Sequence, residues 1–253
     1  MCQRRCLGLL LGAGLMAASM AYAQTITLEA DYWMPYNGDG QSETGYMLDI
    51  AKAIFEPKGY IIRFTQIPWA RALADARAGK AEGVVGAAFD DAPDFVYPAE
   101  EQGRGQTEFY VLAGNPWRYT GIPSLAAVRL AIARDYTYFP ELDQYIESNA
   151  GRLYTAYGED PLSDNIRLLM AGSVGALVDV SDVVRYTIAK EQLQTKIVSA
   201  GTGGEAAELF TAFAPGGPRS AEYAGILSDG MVALRRSGQL AAILARYGLT
   251  DWK

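Results

Sequence analysis

From Gln24 onward, stretches with the two-residue alternation of a strand take turns with stretches whose apolar residues recur at helical spacing. That succession admits few folds and is the signature of α/β architecture built on mainly parallel sheets. Residues 25–31 (TITLEAD) alternate in polarity as a strand, and residues 45–55 (GYMLDIAKAIF) carry Leu48, Ala51, Ile54 and Phe55 on one helical face. Pro57 and Gly59 stop that helix. A strand is expected over 60–67, a helix over 69–78 opened by Pro68 and closed by Gly79, and a buried strand over 83–88.

A second cluster repeats the pattern. Residues 109–113 read as a strand leading out of the first cluster, and Gly114-Asn115-Pro116 marks a change of direction suited to a hinge. Strands are expected over 128–133 and 174–180, with helices over 141–148 and 161–171. A return strand over 208–214 leads into Pro215-Gly216-Gly217-Pro218, the expected second crossing. Two amphipathic helices, 220–236 and 239–247, close the chain. The expected domains are thus 24–112 with 210–253, and 113–209.

Residues 1–23 read as a cleavable leader. Arg4 and Arg5 precede an apolar run from Leu7 to Met20, and Ala21-Tyr22-Ala23 is a small-x-small cleavage site. The run is too short and too rich in Gly and Ala for a membrane anchor, which needs roughly 20 apolar residues. Export to the periplasm is expected. The 230 residues that remain hold no cysteine, since Cys2 and Cys6 both lie in the leader, and the chain has no histidine. Stability must then come from packed cores, not from disulfides. Usual zinc sites and the Ser-His and Cys-His nucleophile systems are excluded, and no cofactor is expected. Removing Arg4 and Arg5 from 22 basic residues while all 29 acids stay leaves a charge of −9, which argues against nucleic-acid partners.

Few residues offer chemistry. Asp179 ends an apolar strand, where a carboxylate either faces the crevice in which α/β sheets hold ligands or joins a structural ion pair. Thr137 precedes a helix, where a hydroxyl either caps it or helps free N–H groups to hold an anion. Tyr32, Trp33 and Tyr36 in one loop, and Tyr136 with Tyr138 in another, supply pocket-lining aromatic faces, although most aromatics in a chain with 16 Tyr serve as core or surface. Arg71 either clamps a carboxylate or pairs with Asp75 one turn on. Arg104, in the Gly-flanked GRG at 103–105, is similarly placed before a strand. Gly201-Thr202-Gly203-Gly204 lacks the Lys of a phosphate loop, and Gly172-Ser173-Val174-Gly175 does not form a nucleophile elbow. Only acids and tyrosines remain as enzymatic candidates.

Several segments together carry a family resemblance. Gly45-Tyr46-Met47-Leu48-Asp49-Ile50 is similar to a Gly-aromatic-acid-aliphatic-Asp-aliphatic signature, with Met47 where an acid is usual. Asp94-Phe95-Val96-Tyr97-Pro98, Val178-Asp179 and the Arg246-Tyr247-Gly248 tail follow in order. Over residues 25–253 the chain resembles periplasmic binding proteins of the polar amino acid uptake type, family 3 of the bacterial extracellular solute-binding proteins. The resemblance implies a type II fold, with two α/β lobes joined by two crossing strands as hinge and a small polar ligand held between them. It implies that Asp179 receives a ligand ammonium, that Thr137 and nearby N–H groups face a ligand carboxylate, and that Tyr32, Trp33 and Tyr36 form the first-lobe wall. It also implies a monomer that closes around its ligand and docks on the membrane permease of an ABC transporter. Sensing through a receptor, and a dehydratase-like enzyme on the same scaffold, are the alternatives. One departure stands out: Ala87-Ala88-Phe89-Asp90-Asp91-Ala92 has no Arg where amino-acid binders of this family usually place one, so the carboxylate clamp is lost or moved, to Arg71 or Arg104.

Overall fold

The structure, a computed structural model, describes residues 24–253; the expected leader lies outside the described residues. Its elements, in chain order, are β1 (Gln24–Ala30), α1 (Tyr46–Phe55), β2 (Tyr60–Gln66), α2 (Trp69–Arg77), β3 (Gly83–Ala87), β4 (Gly103–Gly105), β5 (Thr107–Leu112), β6 (Leu130–Ala133), α3 (Pro140–Ser148), β7 (Tyr154–Ala156), α4 (Pro161–Met170), β8 (Ala176–Val180), α5 (Ser181–Lys190), β9 (Ile197–Thr202), β10 (Ala207–Phe213), α6 (Ser220–Ser237) and α7 (Gln239–Ala245).

Two five-stranded sheets are built on one plan. The first has the order β2-β1-β3-β10-β4 and the second β7-β6-β8-β5-β9. In each, three parallel strands are followed by one that runs the other way and then by an edge strand that runs with the first three: β10 is antiparallel to β3 and β4, and β5 is antiparallel to β8 and β9. The α/β class follows from helices returning the chain between parallel neighbours. In the first lobe, Leu48, Ala51, Ile54 and Phe55 of α1 share one core with Ile26 and Leu28 of β1, and α6 and α7 close it with Leu227, Met231, Leu240 and Leu244, all buried. Each such large side chain adds roughly 1.5–3 kcal/mol of burial. In the second lobe α4 and α5 cover one face of the sheet with Leu162, Ile166, Val184 and Ile188, while Phe109, Leu130, Ile132 and Val178 pack with Leu142 of α3 on the other.

The crossings fall elsewhere than the sequence suggests. β4 continues through Gln106 into β5, which pairs wholly within the second sheet, and β9 continues through residues 203–206 into β10. The change of lobe therefore sits at Gln106 and at 203–206, and residues 107–112 belong with the second sheet and 207–209 with the first. Gly114-Asn115 instead makes the turn at the far end of β5, where Asn115 N–H donates to Leu112 O at 3.0 Å. Gly217 does the same beyond β10, donating to Ala214 O at 3.2 Å. Glycine and proline mark where a strand stops; a strand that runs straight through a hinge needs neither. Gln106 ties the two crossings, its Nε2 donating to Gly203 O at 2.9 Å.

Candidate functional site

The strand ends that meet between the lobes carry acids. Asp31 follows the last residue of β1, and Asp179 sits in β8 one residue from its end, so both parallel strands deliver a carboxylate to the crevice at their C-terminal ends. Both are buried, at 4% and 1% exposure. Each is met by an aromatic donor from the opposite lobe. Tyr136 in the second lobe donates its hydroxyl to Asp31 Oδ2 at 2.5 Å, and Trp33 in the first lobe donates Nε1–H to Asp179 Oδ1 at 3.1 Å. Trp33 stacks on Tyr36 at 4.5 Å and meets Tyr136 edge-on at 6.4 Å. The lobes are thus drawn together.

A cavity of about 100 Å³ remains between them. At about 10–15 Å³ per water-sized sphere it has room for ~7–10 atoms of that size. Asp31, Trp33, Trp69, Gly86, Asp90 and Asp91 line it from the first lobe, and Tyr136, Thr137, Tyr138 and Asp179 from the second. Among the described residues, none that lines it is basic. Asp179 Oδ1 accepts from Trp33 and from Val180 N–H at 2.7 Å, whereas Oδ2 is buried without a partner. Burial pushes the Asp179 carboxyl up to about 6 against the pull of Trp33 and Val180. Asp31 is pushed up to about 8 by burial, opposed by the Tyr136 hydrogen bond and reinforced by the charges of Asp179 and Asp160. Burial thus favours the protonated form of both acids, and a cationic group placed beside them would pull both values back down.

Of the residues singled out in the sequence, Trp33, Tyr136, Thr137, Tyr138 and Asp179 line this cavity; Tyr32, Tyr36, Arg71 and Arg104 do not. Tyr36 is buried behind Trp33 and donates to Arg104 O at 2.6 Å. Tyr32 turns outward to Glu43, its hydroxyl donating to Oε2 at 2.5 Å. Arg71, 62% exposed, makes the helical ion pair with Asp75 at 2.7 Å, and Arg104 spreads between Glu101 and Glu208 at 3.5 and 3.4 Å. Neither guanidinium replaces the absent clamp in this cavity. Thr137 does not cap α3, whose N-cap is Phe139. It lines the cavity, as Asp91 does from the first lobe. Burial raises the Asp91 carboxyl, while nearby Thr137 and the hydrogen bond from Ala88 N–H at 2.8 Å pull it back down. Asp31, Trp69, Asp90 and Asp91 are among the lining residues that sequence reasoning passed over. The signal for Asp31 was present: it stands at a strand end as Asp179 does.

A second set of contacts joins the lobes outside the cavity. Glu43 accepts from Tyr186 at 3.0 Å and pairs with Lys190 at 2.7 Å, both on α5, and Tyr32 N–H donates to Glu159 O at 2.7 Å. Burial raises the Glu43 pKa, but hydrogen bonds from Lys190, Tyr32 and Tyr186 outweigh it and hold the carboxyl below its usual value. Among the described residues no helix is long and apolar enough to cross a membrane.

No protein-family model and no curated protein matches the chain. Solved structures do match. A histidine kinase sensor domain described as similar to periplasmic binding proteins aligns with TM-score 0.73 and 23% identity, covering 89% of this chain and 96% of that one. The substrate-binding protein of an ABC uptake transporter from Streptococcus pneumoniae, solved with histidine, gives TM-score 0.76 at 13% identity over 90% and 95%. A solute receptor for L-cysteine from Neisseria gonorrhoeae gives 0.69 at 15% over 88% and 89%. At these identities the likeness is one of fold, the two-lobed architecture of periplasmic binding proteins.

Proposed function

We propose that this chain is an exported solute-binding receptor that closes its two lobes around one small polar molecule. The observation that carries this reading is the interlobe cavity, walled from both sides, with the unpartnered Asp179 Oδ2 buried in it. A ligand that touches both lobes favours the closed arrangement by the difference in its affinity for the two forms, and closure is how binding is reported to a partner. Asp179 receives a ligand N–H group, Trp33 and Tyr136 pack on its body, and Gln106 with residues 203–206 forms the hinge. Residues 1–23 direct the chain to the periplasm, and the closed monomer delivers its solute to the permease of an ABC transporter. The order of the motifs at 45–50, 94–98 and 178–179 supports membership of the polar amino acid uptake family.

The test is a thermal-shift screen of residues 24–253, refolded to remove carried-over ligand, against amino acids, amines, organic acids and short peptides. A ligand at 100 times its Kd adds about 2.7 kcal/mol, or roughly 5–11 °C at ~2–4 °C per kcal/mol for this size. A shift confined to one chemical class and lost in Asp179→Ala is expected. A flat screen counts against the reading. A sensing role is the second reading, favoured by the sensor-domain structural match; a liganded form that binds a membrane receptor and drives no uptake would select it.

A further inference from the structure

Every charged side chain that lines the cavity is an acid: Asp31, Asp90 and Asp91 from the first lobe and Asp179 from the second. Ala88 N–H, a lining donor that a ligand carboxylate could use, is already held by Asp91 Oδ2 at 2.8 Å. We propose that the molecule this cavity takes is a small primary amine without a carboxylate. The inference rests on the receptor reading and deepens it.

Three observations support it. The charged lining is Asp31, Asp90, Asp91 and Asp179, so a ligand carboxylate would meet like charges and find Ala88 N–H occupied. The buried Asp179 Oδ2 has no partner and can accept only from a donor, which an ammonium supplies. Trp33, Trp69 and Tyr136 offer aromatic surface to an alkylammonium chain or ring. Among the described residues no group of three or more acids is placed to hold a metal ion.

The test is calorimetry of the refolded chain, residues 24–253, with matched pairs that differ by one carboxylate: cadaverine and lysine, agmatine and arginine, histamine and histidine, tyramine and tyrosine. At least one amine should bind tenfold or more tighter than its amino acid. Asp91→Asn should narrow that ratio at least threefold, whereas Asp75→Asn, outside the cavity, should leave it unchanged. Should Asp91→Asn not fold, Asp90→Asn, a change at an exposed lining acid, is expected to narrow the ratio in the same direction. Amino acids preferred throughout, or a ratio indifferent to the lining acids, would overturn the inference and leave the receptor reading standing. Silence from both series would overturn both.

Discussion

The two strand-end acids make the empty cleft sensitive to pH, with a sign that follows from their environments. Asp31 and Asp179 hold protons more tightly folded than unfolded, at about 8 and about 6 against an unfolded value of 3.8. The stability they contribute is therefore complete below about pH 4 and is lost as pH rises through 6 and then 8. The loss grows with the separation between folded and unfolded values and is larger for Asp31 than for Asp179. They titrate as a pair, with Asp160 and the Tyr136 hydroxyl as the other ionisable groups acting on Asp31. Thermal melts of the ligand-free protein between pH 5 and 9 should fall with pH, and Asp31→Asn, which keeps an acceptor for Tyr136, should fall less steeply, ending several degrees above the native protein at pH 9. Parallel curves would show that Asp31 is not held protonated. Trp33→Phe removes the Nε1–H donor from buried Asp179 and should cost about 1–3 kcal/mol in denaturant unfolding while raising the Asp179 pKa above about 6. An unchanged pKa by NMR titration would refute that role.

Among the elements, those with a full period in the sequence were legible and the short or atypical ones were not. α1, α2, α4, β1, β2, β3 and β8 lie within a residue or two of their expected spans because each shows several repeats of its own period. β4 and β7 have three residues each, too few for alternation to appear. α5 was missed because it starts directly at the end of β8 with no turn residue between them, and its Val183, Val184, Thr187 and Ile188 favour strands by propensity. β9 ends in Gly201-Thr202, which reads as a loop. The misplaced arginines share one cause, side-chain direction. Trp69 lines the cavity, and Arg71, two residues along α2, stands roughly 200° around the helix and faces away. Gly105 lines it too, so Arg104 points to the opposite face of its strand. The Gly45 of the family-like segment is legible in physical terms as well: it enters α1 at φ 85°, and a Cβ there would lie 2.5 Å from Tyr36 O and Asn37 Cα. Gly45→Ala should cost roughly 1–3 kcal/mol or more, seen as a lower denaturant midpoint, with the aromatic loop displaced. A midpoint equal to the native one would refute the steric account.

At the scale of the whole molecule, lobe closure divides between two places. Inside the crevice the reciprocal bonds, Tyr136 to Asp31 and Trp33 to Asp179, use groups that a ligand also needs. Outside it, Glu43 with Tyr186 and Lys190 holds α5 to the first lobe through groups that no ligand in the cavity would reach. On the proposed receptor reading, the outer set can set how often the ligand-free protein is closed without touching specificity. Its worth is bounded, because Lys190 is about half exposed and such ion pairs contribute about 0.2–1 kcal/mol. Apparent affinity scales with the population of the binding-competent form, so losing this pair weakens every ligand by at most about fivefold and by the same factor for each. Lys190→Ala combined with Tyr186→Phe should accordingly enlarge the radius of gyration of the ligand-free protein in solution scattering, leave the liganded value unchanged, and shift all measured Kd values together. Ligands affected unequally would place these residues in recognition instead of closure.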